Sequence, residues 1–158
     1  MKTSPLTVLT HAFYAFYDLH RPAYHAYAAA RLSPEEAQIA VTHLFGLVAG
    51  NWTTIVAEQR PSAWAWNTHT RTIARRNGRT FTAAEDASLL YDQLRLSIDQ
   101  IATITGTEPA TVTALLATAR RTARTTTTRP RPRTTTSRPT PPTEARRRTT
   151  SRLRTATV

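Results

Sequence analysis

At 158 residues, with 40% hydrophobic and 20% charged side chains and no cysteine, the chain suffices for one ordinary domain or two very small ones, and it excludes disulfides, thiol nucleophiles and cysteine-ligated zinc. Its formal net charge of +11 is unevenly placed: residues 1–119 hold nine Lys/Arg and nine Asp/Glu, whereas residues 120–158 hold twelve arginines against one acid, Glu144. A neutral body with a polycationic extension points to DNA as a partner; no apolar run approaches the roughly 20 residues of a membrane span, and the start Met1-Lys2-Thr3-Ser4-Pro5 leads into no signal-type apolar block, so the expectation is a cytoplasmic protein with no membrane partner.

The predicted elements are helical throughout. Phe13, Phe16, Tyr17, Tyr24, Tyr27 and Ala28 form an apolar stripe, and Arg21-Pro22 within it is where a helix is expected to end, kink or restart. Ser33-Pro34-Glu35-Glu36 supplies an N-cap, a first-turn proline and a glutamate three residues after the cap, and the helix continues through Ala40, Val41, Leu44, Phe45 and Val48 to Gly50-Asn51. Pro61-Ser62 starts another helix, which carries Trp64, Trp66 and Ile73 and stops at Asn77-Gly78. Along it Arg71, Arg75 and Arg79 share a side at four-residue spacing, and with Arg76 they form the densest basic group of the body, a candidate phosphate site with an ordinary solvated face as the alternative. Thr82-Ala83-Ala84-Glu85 then caps a helix through Leu89, Leu90 and Leu94.

The segment from Leu94 to Leu116 carries the most functional information. Ser97 and Gln100 make a capping-box pair, Ile101, Ala102 and Ile104 supply a buried side, and Gly106 is suited to the left-handed residue that ends a helix. Pro109 opens a second helix that buries Val112, Leu115, Leu116 and Ala119, leaving Thr111, Thr113, Ala114, Thr118 and Arg121 on the opposite side. Two short helices joined this way are the frame that presents a recognition helix to the major groove. Beyond them, Thr125-Thr126-Thr127-Thr128-Arg129-Pro130-Arg131-Pro132-Arg133 is too poor in apolar residues to offset ordering entropy, so residues 125–158 are expected to be disordered and to bind phosphates without sequence preference. Lys2 is the only lysine, against twenty arginines, and G/C-rich codons account for the same tail composition. His11, His20, His25, His43 and His69 lack metal-type spacing, and Gly-rich phosphate loops, nucleophile elbows and acid pairs are missing, so neither metal, cofactor nor enzyme activity is expected.

The order of these elements resembles bacterial RNA polymerase sigma factors of the extracytoplasmic-function type. Residues 13–28 are similar to the opening helices of that family's second conserved region and Ser33 to Trp52 to the helix after them. Trp66 to Asn77, with Ile73-Ala74-Arg75-Arg76-Asn77, is similar to the stretch that melts and reads the downstream promoter element. Leu89 to Arg121 is similar to the fourth region, on Gln100-Ile101-Ala102, Gly106, Thr111-Val112 and Ala119-Arg120. The resemblance implies a region-two-like helical domain over 10–78, a region-four-like helix-turn-helix over 82–124 and the tail over 125–158. It also implies DNA and RNA polymerase core as partners, DNA contacts from Arg71, Arg75, Arg76, Arg79, Thr111, Thr113, Ala114, Thr118, Arg120 and Arg121, and base stacking at Trp64 and Trp66; two tryptophans spaced two apart on a helix face different directions, so the alternative is that at least one of them belongs to the core.

Departures from the pattern shape the expectation. Ile39, Thr42 and His43 stand where the family presents acidic and glutamine side chains to polymerase, and the central turn of the recognition helix has no arginine for bidentate guanine reading. The connector Asn77-Gly78-Arg79-Thr80-Phe81 has five residues, a reach of about 18 Å at most. The expected protein is a degenerate, sigma-like regulator of all-α fold; the alternative is an interaction module that binds polymerase or another regulator without initiating transcription. The sequence leaves the oligomeric state open.

Overall fold

Helix α1 runs unbroken from Pro5 to Ala29 with Pro22 inside it. An interior proline removes one helical hydrogen bond and costs about 3 kcal/mol, but Phe16, His20, Tyr24, Tyr27 and Ala28 are all buried along α1. Each large apolar side chain so buried contributes roughly 1.5–3 kcal/mol, enough together to carry the helix through the proline. The end or restart expected at Arg21-Pro22 is corrected accordingly. The computed structural model describes residues 4–58 and 60–127, and among these every regular element is helical.

Helix α2, Pro34–Gly50, starts where Ser33 Oγ accepts the Glu36 N–H at 3.3 Å and ends at Asn51, whose Nδ2 donates to the Leu47 carbonyl at 2.8 Å. The short α3, Trp52–Ala57, was not anticipated; it buries Trp52 and Ile55, and the Trp52 indole N–H donates to the Leu9 carbonyl of α1 at 2.9 Å. Helix α4, Pro61–Asn77, is stopped by Gly78 at φ +76°. Helix α5, Ala83–Ser88, has a complete capping box between Thr82 and Glu85 and continues into a π turn, Leu89–Gln93, in which the Leu94 N–H reaches back five residues to the Leu89 carbonyl at 3.1 Å. Arg95 then takes a left-handed φ of 58° before α6, Ile98–Thr105, and α7, Pro109–Thr127. Thr125, Thr126 and Thr127 thus belong to α7; the remainder of the tail expected over 125–158 lies outside the described residues.

One core serves both halves of the described chain. In its N-terminal part Phe13, Phe16, Tyr17 and Tyr24 of α1 interlock with Phe45 and Trp52, and Tyr24 and Tyr27 pack on Trp66 and His69 of α4. Tyr24 also ties α1 to α6: its buried hydroxyl donates to the Ile104 carbonyl at 2.7 Å, satisfying one of the acceptors that a helix C-terminus leaves without partners. The Tyr27 hydroxyl and an Arg31 N–H both donate to Asp86 Oδ1 of α5, each at 2.7 Å. The segments 10–78 and 82–124 are therefore joined through buried polar contacts as well as through the three residues between them, 79–81.

Candidate nucleic-acid interface

The helix-turn-helix is built by local chemistry. Ser97 and Gln100 exchange both capping-box hydrogen bonds at the start of α6, at 3.2 and 2.9 Å. At its end Gly106 sits at φ +67°, and the Gly106 and Thr107 N–H groups both return to the Ala102 carbonyl. No other residue fits at 106: a side-chain carbon there would lie 2.7 Å from Ala63 Cα, because the turn presses on the first turn of α4. The turn is thus fixed by the bundle as well as by its own caps. Helix α7 buries Val112 and Leu116, half-buries Leu115 and Ala119, and exposes Thr111, Thr113, Ala114, Thr118, Arg120 and Arg121.

Hydrogen bonding on that face decides what it offers a base. The Thr113 hydroxyl donates to the Pro109 carbonyl and the Thr118 hydroxyl to the Ala114 carbonyl, both at 3.0 Å, so each proton is already used and each oxygen remains an acceptor. Arg121 takes the Thr118 oxygen at 3.0 Å. Thr113 therefore presents an acceptor and a methyl group.

The four arginines of the expected basic cluster divide. Arg76 pairs with Glu36 of α2, and Arg79 pairs with Glu85 of α5 at 2.6 Å, whereas Arg71 and Arg75 have no acidic partner among the described residues. Hydrogen bonding to the Thr82 backbone N–H, then to the Thr82 side chain, and then the Arg79 charge hold the Glu85 carboxyl below the ordinary carboxylate range against the opposing effect of burial. Arg71 and Arg75 line a cleft of about 600 Å³ shared with Phe81 and Asp86, while Arg79 and Phe81 line an adjoining groove whose far wall is Thr118, Thr122 and Thr126 of α7. Phe81 joins the two: Arg31 stacks on its ring at 3.4 Å and Arg79 lies 4.9 Å from its centroid. The structure thus brings Arg71 and Arg75 to one cleft and Arg79 and Thr118 to the lining of another; Arg76 is withdrawn to α2, and Thr111, Thr113 and Ala114 lie outside both hollows. No protein-family model matches this chain, and no curated protein or solved structure matches it.

The two tryptophans also divide. Trp66 is buried, with Tyr27 at 4.8 Å and Tyr24 at 5.8 Å between centroids, so Trp66 is the tryptophan whose ring belongs to the core, the alternative to base stacking there. Trp64 is half-buried at the edge of the same core. Two histidines serve as packing groups. His20 Nδ1 donates to the Phe16 carbonyl at 2.9 Å, which leaves Nε2 to accept the Ser62 hydroxyl at 2.8 Å. His69 Nε2 donates to the Tyr24 carbonyl at 2.9 Å, its Nδ1 is buried without a partner, and burial pushes its pKa down to about 4. Among the described residues no three His, Asp or Glu side chains are placed to hold a metal, and no helix is long and apolar enough to cross a membrane.

Sequence reasoning missed the role of Phe81, the Asp86 network and the α7 threonines at 122 and 126. Only Arg79 and Glu85 are close enough in sequence for their pairing to have been read there.

Proposed function

We propose that this chain is a sigma-factor-like, DNA-binding transcription regulator that reads duplex DNA with the exposed face of α7 and holds the backbone with Arg71 and Arg75. The observation that carries the reading is the Gly106 turn, which locks α6 against α4 and leaves the opposite side of α7 open along its length. Recognition helices work from such a support, with their first turns against base edges. Thr113, an acceptor with a methyl group, suits an adenine N6 or cytosine N4 amino group or a thymine methyl, and it lacks the donors that guanine requires. The guanidinium groups of Arg71 and Arg75, which have no acidic partner among the described residues, suit phosphates. RNA polymerase core remains the proposed protein partner, and the large apolar side chains exposed on α1 and α2, Leu6, Val8, Tyr14, Leu19 and Ile39, favour a protein-binding role beside the DNA-binding one.

Selection of the full chain against randomised duplexes tests the reading. An enriched motif that changes when Thr111 or Thr113 is replaced is the expected result. Core-polymerase capture with no enriched motif would transfer the function to the interaction alternative.

A further inference from the structure

The large apolar side chains exposed on α1 fall on two sides of the helix. Val8 and Leu19, 53% and 58% exposed, stand about three turns apart and so share a side. Around the axis Tyr14 is about 120° from Val8 and Leu6 about 160°. Ala12 and Ala15, both exposed, lie between Val8 and Leu19, so positions 8, 12, 15 and 19 run large, small, small, large without a polar residue. Pro22, Ala23 and Ala26 carry the stripe on as one wall of a groove of about 490 Å³, whose other wall includes Leu96 and Ile104. On one flank of the stripe His11 and Asp18 are exposed about two turns apart, and neither has an ion-pair partner among the described residues. A contiguous apolar face of this kind marks a contact surface.

We propose that this face of α1 docks antiparallel against α1 of a second copy of the chain, about a two-fold axis between residues 13 and 14. A two-fold contact needs a patch that fits itself when its direction is reversed. The order large, small, small, large survives that reversal: Val8 meets Leu19 of the second copy, and Ala12 meets its Ala15. Packed helices are closest where they cross and diverge away from that point, so alanines suit the middle and valine and leucine the ends. The same reversal, to within one residue, brings Asp18 to His11 of the second copy, a carboxylate to an imidazole, and does so twice. It also lays the Pro5 end of the second helix along the groove beside Pro22. An unrelated partner would require no such symmetry. The contact leaves Leu6, Tyr14 and Ile39 to the protein partner proposed above, and it uses no residue assigned to DNA. One helix face and one groove fall short of the roughly 1,600 Å² of a standard complex, so the dimer is a weak one.

Sedimentation velocity of the full chain without DNA, from about 1 μM to about 200 μM, tests the proposal. A shift from monomer to dimer is expected, displaced about tenfold or more to higher concentration by Ala12→Glu with Ala15→Glu, which sets like charges face to face. Both positions are exposed, so the unfolding midpoint of that variant at the lowest concentration is expected to match the natural chain's. Crosslinking reads the direction, since the chain has no cysteine of its own. Val8→Cys and Leu19→Cys chains are oxidised in a glutathione buffer, separately and mixed. In the antiparallel pair each thiol lies about 16 Å along the axis from its own symmetry mate, out of disulfide reach, and beside the other position. The mixed disulfide is expected to form about tenfold or more faster than either symmetric one. A chain that is monomeric at every concentration, a dimer that the glutamates leave unchanged, or symmetric disulfides that form as fast as the mixed one would each overturn the proposal; the crosslinks decide it even where the glutamate variant fails to fold.

Discussion

Replacing Gly106 with alanine tests whether the helix-turn-helix is anchored to the bundle or merely follows it in sequence. Two penalties combine at this position. A left-handed φ of +67° costs a side-chain-bearing residue about 1–2 kcal/mol, and the new carbon would sit 2.7 Å from Ala63 Cα, an overpacking of the kind that costs about 1–3 kcal/mol. The expected loss is about 2–5 kcal/mol, or about 8–20 °C in melting temperature at about 4 °C per kcal/mol for a body of this size. Gly78 provides the control, because its φ is +76° but nothing lies within 4 Å of where a side chain would begin. Gly78→Ala should therefore lose only the conformational part, about 1–2 kcal/mol. Urea unfolding followed by tryptophan fluorescence measures both variants, and the excess loss at 106 reports the contact between α4 and the turn. Ala63→Gly should restore little, since the backbone of residue 63 is among the atoms in the way. Equal losses at 78 and 106 would refute the anchoring.

Further outcomes follow from the same structure. His69 is held neutral in the fold, with its pKa lowered from 6.5 to about 4, so below pH 6.5 the unfolded chain takes up a proton that the native state refuses until about pH 4. Stability should fall as pH drops through that window by about 3 kcal/mol, and burial shifts His20 in the same direction; urea midpoints flat from pH 7 to 4.5 would contradict this. Tyr24→Phe leaves the buried Ile104 carbonyl without its donor and should cost about 1–3 kcal/mol, measured in the same urea assay; a neutral outcome would show that the contact is not made. In DNA-binding titrations, Arg71→Ala and Arg75→Ala should each flatten the dependence of log affinity on log salt by about 0.9, whereas Arg76→Ala, whose guanidinium is held by Glu36, should leave the slope in place. A larger slope change at Arg76 than at Arg71 would reverse the division of the cluster. Arg95→Gly should stabilise by about 0.5–1 kcal/mol by relieving its left-handed backbone, and a loss of stability there would show that the side chain matters more than the strain.

What was legible in the sequence was local. Ser33 with Glu36, Thr82 with Glu85, Ser97 with Gln100 and the glycine stops at 78 and 106 each act over a few residues, and each stands where those residue types place it. Pro22 was misjudged because the local rule counts a lost hydrogen bond but not the buried tyrosines that follow it. Two tryptophans spaced two apart on a helix must face different ways, yet only the neighbouring Tyr24 and Tyr27 rings determine that Trp66 is the inward one. The contacts that join the halves and sort the arginines span 40 residues for Glu36 and Arg76, 59 for Tyr27 and Asp86, and 80 for Tyr24 and Ile104, distances over which no periodicity or cap pattern carries information.

Because the natural chain has no cysteine, a single introduced thiol reports from one place. The most direct test places a tethered iron–chelate cleavage reagent at Thr113→Cys in the full chain, with Ile39→Cys on α2 as the control, and maps strand scission on a selected duplex. The account predicts cuts confined to a few base pairs of the selected motif from position 113 and none there from position 39. Scission at the motif from position 39, with none from 113, would contradict it.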